Sequence, residues 1–431
     1  MSGLRALALV SLLVGAASTA SAQDTVRVVG RYDPSIRPGL VVLPAGGLDS
    51  VRAILARDLD FSDRFEVIEV PEGGASGVPG LGLTINYELY RTLRASLAVE
   101  LLGRSGNVTV RLHDLVTETV KQEQTVPLDS SGVGEARMAV HRVADDIVQW
   151  VTGESGAAAT RILFLNNGDK RIYRVDSDGY GVIPITPANM LVMSPAWSPD
   201  GSRFAYMVLG GPSPGTIVVQ SLATGTRVVV PTTDQGQSIT PAFSPDGTFL
   251  MFSRMSEQAS NLYAVNVADL CCVERLTAGR FAQNLSPAYS PDGRRVVFVS
   301  TRSGSPQIYS MASDGTDQDL LVPFDFGSTG SSYAPDWSPR GAAVVFHREY
   351  DGVPQIVTYD LASRHVRQRT SSGRNEDPSW APDGRHVVFV SDRVGRKQLH
   401  VLDLETGRVR QILTPGVARL PAWSRSLTRG R

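Results

Sequence analysis

Cysteine is the scarcest chemistry-bearing residue of this chain: two in 431 residues, adjacent as Cys271-Cys272. One such pair makes neither a disulfide framework nor a metal site. Two free thiols in a turn are favoured over a strained vicinal disulfide. The six histidines are scattered, and no H-E-x-x-H pair occurs, which removes the zinc-hydrolase pattern. Lys and Arg number 42 against 43 Asp and Glu, a net charge of −1. Without a basic bias or a basic aromatic stripe, a nucleic-acid partner has no support. Long apolar runs are missing too. Ala6 to Ala17 is nearly all apolar but falls short of the ~20 residues that span hydrocarbon. With Arg5 before it and Ala20-Ser21-Ala22 after it, it reads as a secretory signal peptide over 1–22, cleaved after Ala22. No cysteine follows that site, so lipid attachment there is not expected. The mature chain is expected to be exported without a membrane span.

What the chain does have is a repeated phrase. Ser194-Pro195-Ala196-Trp197-Ser198-Pro199-Asp200-Gly201 returns from Thr240 to Gly247 and from Ser286 to Gly293. Worn copies follow at Pro335 to Gly341 and Pro378 to Gly384, and a half-copy, Pro421-Ala422-Trp423-Ser424, comes near the end. The leading prolines are 46, 46, 48, 43 and 43 residues apart. A period of about 40–50 residues marks a repeat architecture. Within a unit, Ser-Pro-Asp-Gly is a turn, its Pro presetting φ and its Gly free to take positive φ. Short β-branched and aromatic runs follow it, such as Leu250 to Ser253, Asn261 to Asn266 and Glu274 to Thr277. Four such strands joined by hairpins form a propeller blade.

Five units are complete. The strands over 161–165, 171–175 and 182–185 lack an opening phrase, and the last half-copy lacks following strands. Together they complete a sixth blade that closes the ring by pairing N- and C-terminal strands. Residues 23–156 share none of the repeat. Strands are expected at Val26–Val29, Leu40–Leu43, Phe65–Val70, Leu97–Leu102, Val108–Leu112 and Thr117–Val126. Helices are expected around Val51, Ile54, Leu55 and Leu59, over Tyr87–Arg94, and along Ala136, Val140, Val143 and Ile147 to a stop at Gly153. The Gly- and Pro-rich stretch 71–83 reads as a loop. The fold expected is a small N-terminal α/β domain, 23–156, followed by a six-bladed propeller of four-stranded antiparallel blades, 157–431.

Catalytic patterns are poor. Gly211-Pro212-Ser213-Pro214-Gly215 fits G-x-S-x-G, but it lies in a blade hairpin with Pro on both sides of the Ser, not between a strand and a helix as a nucleophile elbow requires. Asp200, Asp246, Asp292 and Asp383 recur, but always in the same turn, and Arg340 replaces the aspartate once. A turn-forming role is favoured. No catalytic, metal or cofactor residue is assigned.

Signal peptide, α/β domain, the joint Thr152-Gly153-Glu154-Ser155-Gly156 with Thr160-Arg161-Ile162, and six P-x-W-S-P-D-G-type units together resemble the TolB family, periplasmic propellers of the bacterial Tol-Pal system. The worn fourth unit, the Cys271-Cys272 turn and the 71–83 loop depart from that pattern. The resemblance implies a non-enzymatic periplasmic scaffold serving outer-membrane integrity and cell division. It implies binding of the lipoprotein Pal on one propeller face and of TolA through the N-terminal segment Asp24, Thr25, Val26, Arg27, Val28 and Val29. Other outer-membrane or peptidoglycan-associated proteins are further candidate partners. The rival readings are an exported propeller-type peptidase or hydrolase and a carbohydrate-binding propeller. In a propeller, the loops from each outermost strand to the next innermost strand share one face around the channel. Here these loops are 186–194, 232–240, 277–286, 324–334, 370–377 and 414–420. The Pal candidates on them are Asn189, Asp234, Gln237, Arg280, Asn284, Tyr333, Arg374, Glu376 and Arg419, with Arg280, Tyr333 and Arg374 foremost because Tyr and Arg most often anchor interfaces.

Overall fold

The computed structural model describes residues 37–70, 85–104, 106–128, 132–210, 214–231, 236–323 and 330–427. The N-terminal part is built on one five-stranded sheet. Its strands are β1 (Gly39–Val42), β2 (Glu66–Val67), β3 (Leu97–Arg104), β4 (Asn107–Asp114) and β5 (Thr119–Pro127), ordered β2-β1-β3-β4-β5. Helices α1 (Asp49–Phe61) and α3 (Val133–Thr152) bury Leu55, Leu59, Val140, Val143 and Ile147 against Val99, Val110 and Leu112 of the sheet. The short helix α2 (Tyr87–Thr92) is capped by the Asn86 side chain, which accepts from Leu89 N. Helix α3 stops where Gly153 turns left-handed at φ 74°, the usual glycine helix stop. The strand expected over 65–70 is only two residues long, because β2 is an edge strand paired with β1 alone. The strand expected at Val26–Val29 and the 71–83 loop lie outside the described residues.

Six four-stranded sheets follow. The closing blade contributes β6 (Arg161–Asn166), β7 (Arg171–Asp176) and β8 (Ile183–Pro184). The first full blade is β9 (Leu191–Trp197), β10 (Arg203–Gly210), β11 (Ile217–Ser221) and β12 (Arg227–Val229). The second is β13 (Gln237–Phe243), β14 (Phe249–Met255), β15 (Ser260–Asn266) and β16 (Glu274–Arg275). The third is β17 (Asn284–Tyr289), β18 (Arg295–Ser300), β19 (Gln307–Ala312) and β20 (Asp319–Leu320). The fourth is β21 (Ser332–Trp337), β22 (Ala343–Tyr350), β23 (Val353–Asp360) and β24 (Val366–Gln368). The fifth is β25 (Asn375–Trp380), β26 (His386–Ser391), β27 (Gln398–Asp403) and β28 (Val409–Ile412). Strand β29 (Ala418–Trp423) then pairs antiparallel with β6, giving the order β29-β6-β7-β8. The ring therefore closes inside one blade, as the half-copy of the phrase implies.

The phrase acts at both its ends. Ser198 Oγ donates to Asp200 Oδ1 at 2.6 Å, Arg203 N donates to Ser198 Oγ at 2.9 Å, and Gly201 takes φ 69°. The same serine–aspartate bond recurs at Ser244–Asp246 (2.5 Å) and Ser290–Asp292 (2.6 Å). These bonds hold the three carboxyls below their usual range, so these aspartates hold turns. At the other end, the residue before each leading proline is left-handed without being glycine. Ser194, Thr240, Ser286, Ala334, Asp377 and Leu420 have φ between 48° and 54°. Each marks a one-residue slip in register with the second strand. Such a bulge bends and twists its strand, here once in every innermost strand. Outward of it, an aromatic residue five positions after the turn glycine fills each blade: Tyr206, Phe252, Phe298, Phe346, Phe389 and, in the closing blade, Phe164, all fully buried. Phe164–Tyr173, Phe252–Tyr263, Phe298–Tyr309 and Phe389–His400 meet across strands at 5.6–6.1 Å between ring centroids.

Candidate functional site

A propeller offers two faces and a channel. The turns inside the phrase and those between third and fourth strands lie on one face. The remaining loops lie on the other, because alternate strands run in opposite directions. The α/β domain docks on the first face, over the fourth, fifth and closing blades. Asp63 Oδ2 meets His386 Nε2 at 3.2 Å, and His386 Nδ1 meets Asp383 Oδ2 at 2.6 Å. Arg385 donates to Asp63 O at 3.1 Å while its guanidinium holds Asp403 at 2.6 and 2.7 Å. Arg408 bonds Asp60 and Asp63, Arg64 pairs with Glu154 and Glu405, and Arg137 pairs with Asp178. Arg340, which replaces the turn aspartate, grips both carboxylate oxygens of Glu154 at 3.0 and 3.1 Å. Asp63, His386 and Asp403 have the spacing of metal ligands, but each already has an ionic partner. Burial alone would push His386 down; the Asp383 charge and the bonds from Asp383 and Asp63 push it up to about 9. The joint is equally tight. Half-buried Asp145 accepts from Ala158 N at 2.7 Å and Ala159 N at 2.9 Å, and a Cβ on Gly156 would lie 2.2 Å from its Oδ1.

The channel, about 310 Å³, is walled by the six phrases. Its walls carry the Pro, Ala and aromatic residues of the phrases, with Ser, Thr, Asp377 and Arg425 among them, and the alanine position departs twice: Asp336 and Ser379 stand where Ala196, Ala242, Ala288 and Ala422 stand elsewhere. Asp336 accepts from Trp380 N at 2.7 Å and Ser379 Oγ at 3.2 Å, and burial pushes it up to about 6. It braces adjacent inner strands.

The expected Pal candidates separate into three groups. Asn189, Gln237, Arg280 and Arg374 are exposed on the second face. Arg374 is fixed there by Asp392 Oδ1, which accepts from its N at 2.7 Å, and by Gly352 O at 3.0 Å. Glu376 and Arg419 are half-buried in a charged cluster at the channel mouth, with Lys397 Nζ 2.6 Å and Arg419 3.7 Å from Glu376 and Arg419 3.6 Å from Asp377. Despite burial, Lys397 and Arg419 hold Glu376 below its usual range. Tyr333 is half-buried and stacks on His347 at 5.4 Å. Asn284 requires correction. It is 1% exposed and bonded to Ser260 O, Ser300 Oγ and Arg302, so in this fold it is an internal strut. Asp234, Ser213 and Asp24 to Val29 lie outside the described residues.

Sequence reasoning that looked for polar and tyrosine residues missed the apolar part of this face. Phe281 is 79% exposed and Leu413 71%, each on a loop entering an innermost strand, and Val394, Leu191 and Leu209 are exposed nearby in the topology. Apolar residues inside otherwise polar loops were the available signal.

Residues 148–427 match a family described as the TolB beta propeller domain. A Tol-Pal system protein TolB from Methylobacillus flagellatus is 32% identical over 220 residues, covering 48% of this chain and 49% of that protein. One from Methylococcus capsulatus is 32% identical over 228 residues, covering 50% and 52%. The chain thus matches over about half the length of these curated relatives. In fold, TolB from Acinetobacter baumannii superposes with a TM-score of 0.75 at 23% identity, covering 90% of this chain and 97% of that one.

Proposed function

The chain belongs to the TolB β-propeller family, and from that premise we propose that it is a non-enzymatic periplasmic scaffold of the Tol-Pal system. In this reading residues 1–22 are removed on export, 23–156 form the docked α/β domain, and 157–431 form the binding propeller. Pal sits on the second face, over Asn189, Asp234, Gln237, Arg280, Tyr333, Arg374, Glu376 and Arg419. TolA takes the segment Asp24 to Val29, whose alternating pattern suits strand addition. The assembly serves outer-membrane integrity and division.

One observation carries the choice of face. Among the described residues, the interdomain ion pairs above all use turns of the first face, and none reaches the second face around the channel mouth. That face combines exposed Phe281 and Leu413 with Arg280 and Arg374, an apolar and arginine mixture typical of interface anchors. Titrating a soluble Pal domain into the protein tests the reading. Arg280→Ala or Phe281→Ala should each weaken binding by about 1–2 kcal/mol, the range of an anchor residue. Full affinity in the Arg280→Ala/Phe281→Ala double variant would refute the choice of face. Turnover of peptide or ester substrates that is lost in Ser213→Ala would favour the hydrolase reading instead.

A further inference from the structure

Cys271 and Cys272 lie in the turn between β15 and β16, on a blade that none of the interdomain ion pairs among the described residues involves. Equivalent turns are closed by a left-handed residue two positions before the outer strand: Gly225 before Arg227, Arg364 before Val366, Gly407 before Val409. In the second blade the left-handed residue whose N donates back to the end of the third strand is Leu270, at φ 53°, with Asn266 O at 2.9 Å, and it stands four positions before the outer strand. The outer strand then starts only at Glu274. This turn is therefore longer by two residues, and the cysteines lie in the added length. Cys272 turns left-handed in its own right, at φ 59°. The result is two exposed thiols in contact, Cys271 Sγ against Cys272 Sγ.

We propose that Cys271 and Cys272 are a reversible modification site, closing to a vicinal disulfide by exchange with organic disulfides of the glutathione type. The sequence alone favoured idle thiols; the contact between the sulfurs favours closure. Neighbouring Cα atoms across a trans peptide are about 3.8 Å apart, under the ~4.4 Å lower bound of ordinary disulfides. The ring is strained and solvent-exposed, the type that reopens readily with thiols. Hydrogen bonds to Cys272 and Asp269 push the Cys271 thiol up to about 12, which suits it to the resolving step after a first attack by Cys272. Its thiolate displaces one half of the organic disulfide as a thiolate and carries the other half as a mixed disulfide. Cys271 then gives its proton to the released thiolate, and its sulfur attacks Cys272 Sγ. The second half leaves as a thiolate and takes up the proton that Cys272 had lost on ionising. The chain loses two hydrogens with two electrons, and the organic disulfide becomes two thiols.

The test is incubation of the full chain with glutathione disulfide, an acid quench, and mass analysis of the peptide spanning both cysteines. The expected product is that peptide lighter by two hydrogens, carrying no glutathione, and restored by a dithiol. Cys271→Ser, lacking the resolving sulfur, should instead retain one glutathione on Cys272. Wild-type chain that stays reduced, accumulates a glutathione adduct, or links to a second copy overturns the proposal.

Discussion

His386 joins the two domains, and pH should therefore control how firmly they are joined. It is 3% exposed and lies between Asp383 on its own blade and Asp63 from the loop after α1, with Asp403, Arg385, Arg408 and Arg410 around it. Its folded-state value is raised from 6.5 to about 9, so the sign is fixed. The stabilisation is fully present below about pH 6.5 and is lost as pH rises through about 9. At ~1.4 kcal/mol per tenfold change in proton affinity, the protonated bridge contributes about 3 kcal/mol. The group is buried, so little solvent screening reduces that figure. Chemical unfolding of wild type and His386→Gln at about pH 6 and pH 10 isolates the effect, because other titrating groups are common to both chains. The stability gap between the two should be about 3 kcal/mol larger at the lower pH. A gap independent of pH would refute the charged bridge. Asp383 works in the opposite direction: its value is lowered, chiefly by His386 once its burial is overcome, so its contribution disappears as pH falls below its unfolded value of about 4.

Two further outcomes follow from the closure and the docking. Deleting residues 418–431 removes β29, its pairing with β6, and the Trp423 Nε1 bond to Thr160 Oγ1 at 2.8 Å, so cooperative thermal unfolding by circular dichroism should vanish; a truncated chain melting like wild type would contradict closure within one blade. Arg340→Asp restores the common turn residue but removes the paired bonds to Glu154, at a cost of about 0.5–1 kcal/mol for a solvent-exposed ion pair. Faster proteolysis at the joint 153–159 would report it, and unchanged cleavage would refute the docking role.

The propeller was legible because its information is local. Ser-Pro-Asp-Gly states a turn in four residues, and the turn glycine sets the buried aromatic five positions on. Helix α3 was equally legible from its apolar spacing and its glycine stop. The left-handed residue before each proline was not, since Ser, Thr, Ala, Asp and Leu share no side-chain property that demands positive φ. Tertiary pairing imposes it: the bulge places the phrase against the neighbouring inner strand. The candidate face was legible as topology but not as chemistry. Asn284 and Arg280 look alike as polar loop residues, yet one is a buried strut and the other is exposed.

The worn units carry the most instructive failure of local reading. Arg340 and Asp336 look like decay of the repeat, and Arg385 and His386 look like ordinary variation after a turn. In the fold they are where the repeat serves something outside itself. Arg340 reaches Glu154 of the joint, Arg385 and His386 reach Asp63, and Asp336 braces the strand bearing Trp380. Asp63 and His386 are 323 positions apart, so no window of sequence contains both halves of the bond. The three clean phrases, at 194, 240 and 286, belong to the blades that none of the interdomain ion pairs among the described residues involves. Here the opening phrase drifts where a second domain or a neighbouring blade presses on it, as at Arg340, Asp336, Arg385 and His386. In a single sequence, departure from an internal repeat is therefore evidence of tertiary contact, and here it marks the docked side of the ring.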